Sequence, residues 1–221
     1  MGRPKIARKS TWVDMTAFVD VAFLLLSFFI LATKTKPPEA ITVVTPKSVS
    51  TKPVEEVDQV LVTITADNKV FISMSEEARR EEVIAELGKI SGIPITDADL
   101  AKAKKAEFFG TPIAQVKSYL DLPTEKRRGE LLPGVPVLDT ANNELKTWMT
   151  AVNNVFFGEK LNLIVKGDND ANYPAFKAVI DAFKQYDTFL KFKIYTDKES
   201  VPAGSELYNA NARAAANKAA E

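Results

Sequence analysis

Residues 12–31 read WVDMTAFVDVAFLLLSFFIL, an apolar run that contains Asp14 and Asp20. A membrane-spanning helix needs roughly 20 mainly apolar residues, and residues 11–33 supply them. Basic residues are denser before the run (Arg3, Lys5, Arg8, Lys9) than after it (Lys34, Lys36). The positive-inside rule therefore predicts that residues 1–10 are cytoplasmic and that the chain after Thr33 is exported. A cleaved signal peptide is disfavoured, because its hydrophobic region would be only about 7–15 residues long.

Asp20 lies near the centre of the predicted span. An aspartate there costs about 2.5–3.5 kcal/mol, and each apolar neighbour returns about 0.3–0.6 kcal/mol, so insertion is affordable. On a helical wheel, Thr16, Asp20, Phe23 and Ser27 form one stripe, which predicts contact with other helices or with water. Asp14 falls on roughly the opposite face, at the membrane boundary. Two interpretations of Asp20 stay open: a proton carrier, or a neutral carboxyl that hydrogen-bonds helices together.

The composition excludes several kinds of chemistry. The 221-residue chain has no Cys and no His, and its 29 basic and 29 acidic residues cancel. Disulfides and catalytic sets built on Cys or His are therefore excluded, and no basic patch indicates nucleic-acid binding. Residues 168–172 begin like a calcium-binding loop but lack its later Gly and Glu, so we interpret them as the cap of the next helix. We predict a protein that is not an enzyme and that needs no metal or cofactor.

Residues 34–56 predict an extended linker. The segment from Pro37 to Pro53 has four prolines among Thr, Ser and Lys, a composition that cannot build a core. Within it, Ile41–Val44 could pair as a short strand, and a plain spacer is the alternative.

Residues 57–199 predict a small two-layer α+β domain with the element order β-β-α-β-α-β. Alternating apolar residues at 60–64 and 70–72, around turn residues 66–69, predict a β-hairpin. Apolar residues at helical spacing predict a helix over 145–156. The remaining signals are an N-cap for that helix at Asp139–Thr140, a strand at 161–165, a helix opened by Pro174 and a strand at 190–194. This order implies helices packed on one face of a single sheet.

An insertion of about residues 75–137 separates the hairpin from the rest of this domain. Val83, Ile84, Leu87 and Ile90 predict an amphipathic helix, 96–99 predicts a capping box for a second, and 111–112 could begin a third. The insertion is therefore expected to be mostly helical. It either forms a surface for a partner or only covers the sheet. Residues 200–221 are expected to be a flexible or loosely helical tail.

Two stretches resemble one known family. DMTAFVDV at residues 14–21 is similar to the D/N-x-T-P-F-x-D-V stretch that begins the single span of the ExbD/TolR family of energy-transducing inner-membrane proteins, with Ala17 in place of the usual Pro. VKGDNDANYPAFKAVIDAFKQ at 165–185 resembles the strand–loop–helix segment of the family's periplasmic domain. The resemblance covers about residues 11–74 and 139–199, and the insertion has no counterpart in the compact family domain.

This resemblance implies a bacterial inner-membrane protein with a cytoplasmic N-terminus and a periplasmic α+β domain. The family's proton-carrying aspartate matches Asp20, and Thr16 and Ser27 are candidate neighbours on the proton path. The implied partners are a pentameric ExbB-like membrane protein, a second ExbD-like chain (a copy or a paralogue), a TonB-like protein and peptidoglycan. The family's linker can also switch between disordered and strand-paired forms.

The implied function is a subunit that transduces the proton-motive force to energise outer-membrane transport. The alternative is a TolR-like structural anchor, whose periplasmic domain binds peptidoglycan or a partner and whose Asp20 only joins helices.

Overall fold

The computed structural model describes residues 15–32, 41–49, 58–123, 126–139 and 142–218. The chain divides into two compact units, Met1–Glu39 and Ala40–Glu221. The first contains helix α1, Thr16–Ala32. In the part of the chain that the structure describes, no helix is long and apolar enough to cross a membrane. The predicted cytoplasmic segment 1–10, Asp14 and both ends of the predicted span lie outside the described residues.

A four-stranded sheet organises the second unit. Its strands are β2 (Gln59–Ile64), β3 (Val70–Met74), β4 (Asn162–Gly167) and β5 (Lys193–Ile194), and they lie in the order β3-β2-β4-β5. Strands β2 and β3 form the predicted antiparallel hairpin, with Val62 opposite Ile72. Strand β4 runs parallel to β2, with Val62 opposite Val165, and β5 runs parallel to β4.

Two amphipathic helices provide the predicted α elements of this domain. Helix α5, Leu145–Val155, buries Trp148 and Met149. Helix α6, Tyr173–Phe183, has Pro174 in its first turn, where a missing N–H breaks no helical hydrogen bond. Their apolar faces share one core with the inward side chains of β2, β3 and β4. The main-domain order is therefore the predicted β-β-α-β-α-β.

The insertion is mostly helical, as predicted. It contains α2, Glu77–Ser91, α3, Asp97–Lys104, and α4, Val116–Leu120, with 3₁₀ turns at Ile113–Gln115 and Gly129–Leu131. The predicted capping box begins α3: Thr96 Oγ1 accepts the Asp99 N–H, and Asp99 Oδ2 accepts the Thr96 N–H. The third helix begins later than residues 111–112 suggested, after the first 3₁₀ turn. Ile90 stays 40% exposed, outside the buried stripe of α2.

The insertion belongs to the same core as the sheet. Tyr119 and Phe109 are among the largest fully buried side chains, and the Phe109 ring lies 5.3 Å from the Trp148 ring of α5. The insertion also covers the outer edge of β3. Ile72 exchanges two backbone hydrogen bonds with Phe109, at 2.8 and 2.7 Å, and the Val135 N–H donates to the Val70 carbonyl. It is therefore a structural part of the domain.

The predicted N-cap of α5 at Asp139–Thr140 is wrong. Thr140 lies outside the described residues, and the helix begins at Leu145. There, Asn143 Oδ1 accepts the Leu145 N–H at 3.1 Å, and its Nδ2 donates to the Ala178 carbonyl in α6. Asn143 thus hydrogen-bonds to the start of α5 and joins it to α6, a helix that is distant in sequence.

The remaining expectations differ from the structure in smaller ways. The strand predicted at 190–194 is only β5, because Asp187–Lys191 forms a 3₁₀ turn that buries Phe189 against Phe183. Ile41–Val44 is not a strand. The paired linker residues are instead β1, Lys47–Ser48, bound to β6, Asp197–Lys198. The tail contains helix α7, Glu206–Lys218.

Candidate functional site

Helix α1 places the predicted site residues on one face. Asp20 is exposed, Thr16 lies one turn before it and Ser27 two turns after it. Ser27 is half-buried, whereas the other side chains described in this helix are exposed. The predicted stripe is therefore present in the helix.

The helix itself offers Asp20 little solvation. Side chains three or four residues away on a helix are neighbours, and for Asp20 these are Thr16, Ala17, Phe23 and Leu24. Thr16 contributes the single hydroxyl in this set. A carboxylate can accept about four hydrogen bonds, so these four neighbours in α1 leave most of the accepting capacity of Asp20 unused.

The second candidate feature is the docked linker. Thr45 is buried, and its Oγ1 donates to Asp197 Oδ2 at 2.6 Å. The Val44 N–H donates to Asp168 Oδ2 at 2.9 Å, and the Val44 carbonyl accepts the Asn169 N–H at 2.9 Å. These bonds and the parallel β1–β6 pair attach residues 44–48 to the α+β domain. Residues 47–48 of the linker are thus observed in a strand-paired form.

The loop of residues 168–172 binds the linker and leads into α6. Asp168 Oδ1 accepts the Asp170 N–H, which closes a local turn, while Oδ2 binds the linker. Asn172 is the N-cap residue of α6, and its N–H donates to Asn68 Oδ1 in the hairpin turn at 2.7 Å. The carboxylate that opens the calcium-like sequence is therefore bound to backbone N–H groups. In the described residues, no group of three or more carboxylates could hold a metal ion.

A family model described as "Biopolymer transport protein ExbD/TolR" matches residues 7–199. The chain belongs to the ExbD/TolR family. The matched range runs from before α1 to just past β6 and includes the insertion, whereas α7 lies outside it. Searches of curated proteins and of solved structures gave no match.

ExbD/TolR proteins are non-enzymatic accessory proteins of biopolymer transport that are anchored in the inner membrane. They work with ExbB/TolQ and TonB/TolA partners. This membership confirms the resemblance to the family. The DMTAFVDV stretch, with Asp20, lies within the matched range.

Sequence reasoning found the stripe on α1 but missed the linker contacts. Thr45 and Asp197 are 152 residues apart, and Val44 and Asp168 are 124 apart. No local pattern pairs such residues. Asp168 gives the one local signal of a further contact. Its local turn uses one carboxylate oxygen as an acceptor, and the second oxygen remains available to another segment.

Proposed function

We propose that this chain is the proton-motive-force-transducing subunit of an ExbB–ExbD-type inner-membrane motor, which energises outer-membrane transport through a TonB-like protein. The observation that carries the proposal is Asp20, an exposed carboxylate on an otherwise apolar stretch of α1, inside the range that matches the family. In this proposal, the N-terminus of the chain is cytoplasmic and its α+β domain is periplasmic.

In this function, Asp20 takes up a proton and releases it in a path formed with the helices of an ExbB-like pentamer. Thr16 and Ser27 lie on the same face. The Thr16 hydroxyl, one turn away, can hydrogen-bond to Asp20, whereas Ser27, two turns away, can connect to it only through water. A potential of 100 mV supplies about 2.3 kcal/mol for each charge moved, so successive protons can drive mechanical work. Two such chains, copies or paralogues, work in one pentamer, and the linker carries motion to the periplasmic domain.

Replacing Asp20 tests this function in the whole complex. Asp20→Asn keeps the size and polarity of the side chain but cannot ionise, whereas Asp20→Glu keeps a carboxyl group. We expect Asp20→Asn to co-purify with the ExbB-like partner but to lose proton flux in proteoliposomes and energised uptake in cells. Asp20→Glu should retain part of both activities. Full uptake with Asp20→Asn would overturn the proposal.

The second candidate is a TolR-like structural anchor whose periplasmic domain binds peptidoglycan or a partner. The hydroxyl of Thr16, one turn from Asp20, favours it, because the two side chains could bind a facing helix as a polar pair. In that case Asn at position 20 would preserve both assembly and uptake. The full chain would then sediment with purified peptidoglycan whether or not an ExbB-like partner is present.

A further inference from the structure

Arg79, in helix α2 of the insertion, lies where the linker enters the sheet. Its Nε is 3.4 Å from Asp58 Oδ1, and its two terminal nitrogens form ion pairs with Glu82 and Glu159. The guanidinium carbon lies 4.8 Å from the centre of the Phe156 ring. The Arg79 side chain is 19% exposed and Asp58 is 26% exposed, so this pair is screened less than a surface pair, whereas Glu82 and Glu159 are about half exposed.

The carboxylates that Arg79 binds belong to three different segments. Asp58 immediately precedes β2, Glu159 lies in the turn between α5 and β4, and Glu82 is one turn further along α2. Since β2 and β4 are the two central strands, a single side chain of the insertion ties together the points where both strands begin. Arginine suits this role because its planar group presents five donors.

The backbone at the same point is also tightly held. Asp58 has φ of 51°, a left-handed conformation that few residues other than Gly adopt. Its carbonyl accepts the Asn162 N–H at 3.0 Å. The next residue, Gln59, donates its N–H to Ser75 Oγ and accepts the Ser75 N–H at its carbonyl, both at 3.1 Å. Asp58 and Gln59 are therefore held by hydrogen bonds to the first residue of β4 and to the residue that follows β3.

We propose that Arg79 is a mechanical clamp and that holding this entry point is a role of the insertion. The linker joins α1 to β2. A pull along it first has to detach residues 44–48 from β6 and from Asp168, and it then reaches the sheet at Asp58. Without the clamp, that pull would strip the hydrogen bonds of β2 one after another from its first residue. With Arg79 in place, the load is shared at once by α2 and by the turn before β4. The proposal rests on the proposed function in one respect, namely that force travels along the linker.

Single-molecule pulling on the full chain in a nanodisc tests the clamp. The chain has no Cys, so handles can be attached at introduced cysteines. In the linker geometry, load is applied between handles at the N-terminus and the C-terminus of the chain, so that it passes along the linker. In the reference geometry, it runs from Leu131→Cys, at a position that is 69% exposed in the wild type, to the same C-terminal handle, so that the linker bears no load.

Lys104, in α3, offers a control within the insertion. Its Nζ forms an ion pair with Oε2 of Glu81 in α2 at 2.7 Å, so this side chain joins α3 to α2. We expect Arg79→Ala to speed unfolding at constant force at least tenfold in the linker geometry and much less in the reference geometry. Lys104→Ala should change unfolding in both geometries alike. Arg79→Lys should recover only part of the wild-type resistance, since a compact ammonium group lacks the planar spread with which the guanidinium reaches three carboxylates.

Equal effects of Arg79→Ala in the two geometries would show that Arg79 is only a stabilising residue and would overturn the proposal. If Arg79→Ala fails to fold, Asp58→Asn removes one arm of the clamp and should show the same dependence on geometry in weaker form. The pulling experiment involves no proton flux. Failure of the clamp and failure of the proton-carrying role of Asp20 are therefore separate outcomes.

Discussion

Asp99 is a buried carboxylate that the start of its own helix keeps ionised. The backbone N–H and then the hydroxyl of Thr96 hydrogen-bond to it, and Lys117 and Lys102 lie 3.7 and 3.9 Å away. The hydrogen bonds from Thr96, followed by the charges of these two lysines, hold the pKa of Asp99 below its ordinary value. Its ionised form therefore stabilises the fold.

The pH dependence of stability follows from that direction. A lowered folded-state pKa contributes stability that is fully present above the unfolded value, about 3.9, and is lost as the pH falls through the folded value. In urea titrations between pH 7 and pH 2.5, we expect the wild type to lose this contribution below about pH 4. Asp99→Asn should be less stable at pH 7 and should lose less on acidification. Parallel curves for the two proteins would contradict the assignment.

Gly110 is required by the side chain packed against it. A Cβ at this position would lie 2.0 Å from Cδ1 of Phe71, a ring atom that is fully buried. We expect Gly110→Ala to lower the free energy of unfolding by about 1–3 kcal/mol, as overpacked cores do. Gly167→Ala is the matched control, because nothing lies within 4 Å of its added Cβ. A urea melt of each variant measures the difference, and equal midpoints would show that the core yields around Phe71.

Local chemistry made some residues predictable from sequence. The capping box needs only the spacing of Thr96 and Asp99, and the stripe around Asp20 needs only the helical period. Asn143 and Asp168 could not be found in this way. One oxygen or nitrogen of each side chain serves its own turn, and the other binds a segment that is distant in sequence.

Among the elements, the described part of the linker is held by a small set of attachments. Its two-residue strand β1 and a few polar bonds hold it, and such short attachments open at low free energy. Thr45→Val keeps the shape of the side chain but removes the hydroxyl that donates to Asp197. Losing about 1 kcal/mol of hydrogen bonding should speed hydrogen exchange of the Asp197 and Glu199 N–H groups about fivefold. Both groups donate to the linker, at the carbonyls of Pro46 and Ser48.

Thr42→Val is the control for the linker, because Thr42 is exposed in the same segment. It should leave exchange at both N–H groups at the wild-type rate. If Thr45→Val also left these rates unchanged, Thr45 would not hold the linker, and the backbone pairs alone would account for the docking.

Elements were predictable where their own pattern decides them. The β2–β3 hairpin follows from alternation on both sides of a polar turn, and α6 follows from Pro174 and its apolar spacing. The last strand was overestimated because Leu190 and Lys191 belong to the end of a 3₁₀ turn, in which Phe189 is buried among aromatic rings. Local patterns cannot anticipate such packing.

At the scale of the whole molecule, the insertion and the sheet share a single core. One of the two predicted alternatives was that the insertion only covers the sheet, and the shared core goes further than that alternative. The sequence shows an amphipathic α2, but not that Phe109 and Val135 bind the edge of β3 or that Phe109 packs on Trp148. A sheet edge left open is a template for unwanted pairing. The insertion therefore contributes both buried surface and edge protection, and removing it would expose the edge of β3.

A shared core predicts that the insertion and the sheet unfold as one cooperative unit. Leu87, in the insertion, is 2% exposed, so Leu87→Ala should lower the free energy of unfolding by about 2–5 kcal/mol. Because the core is continuous, hydrogen exchange should accelerate equally for the most protected N–H groups of α3 and of β2. Leu131→Ala, in the same insertion but 69% exposed, should leave both unchanged. If α3 lost protection while β2 kept that of the wild type, the insertion would be a separate folding unit, and it could not brace the point where the linker enters the sheet.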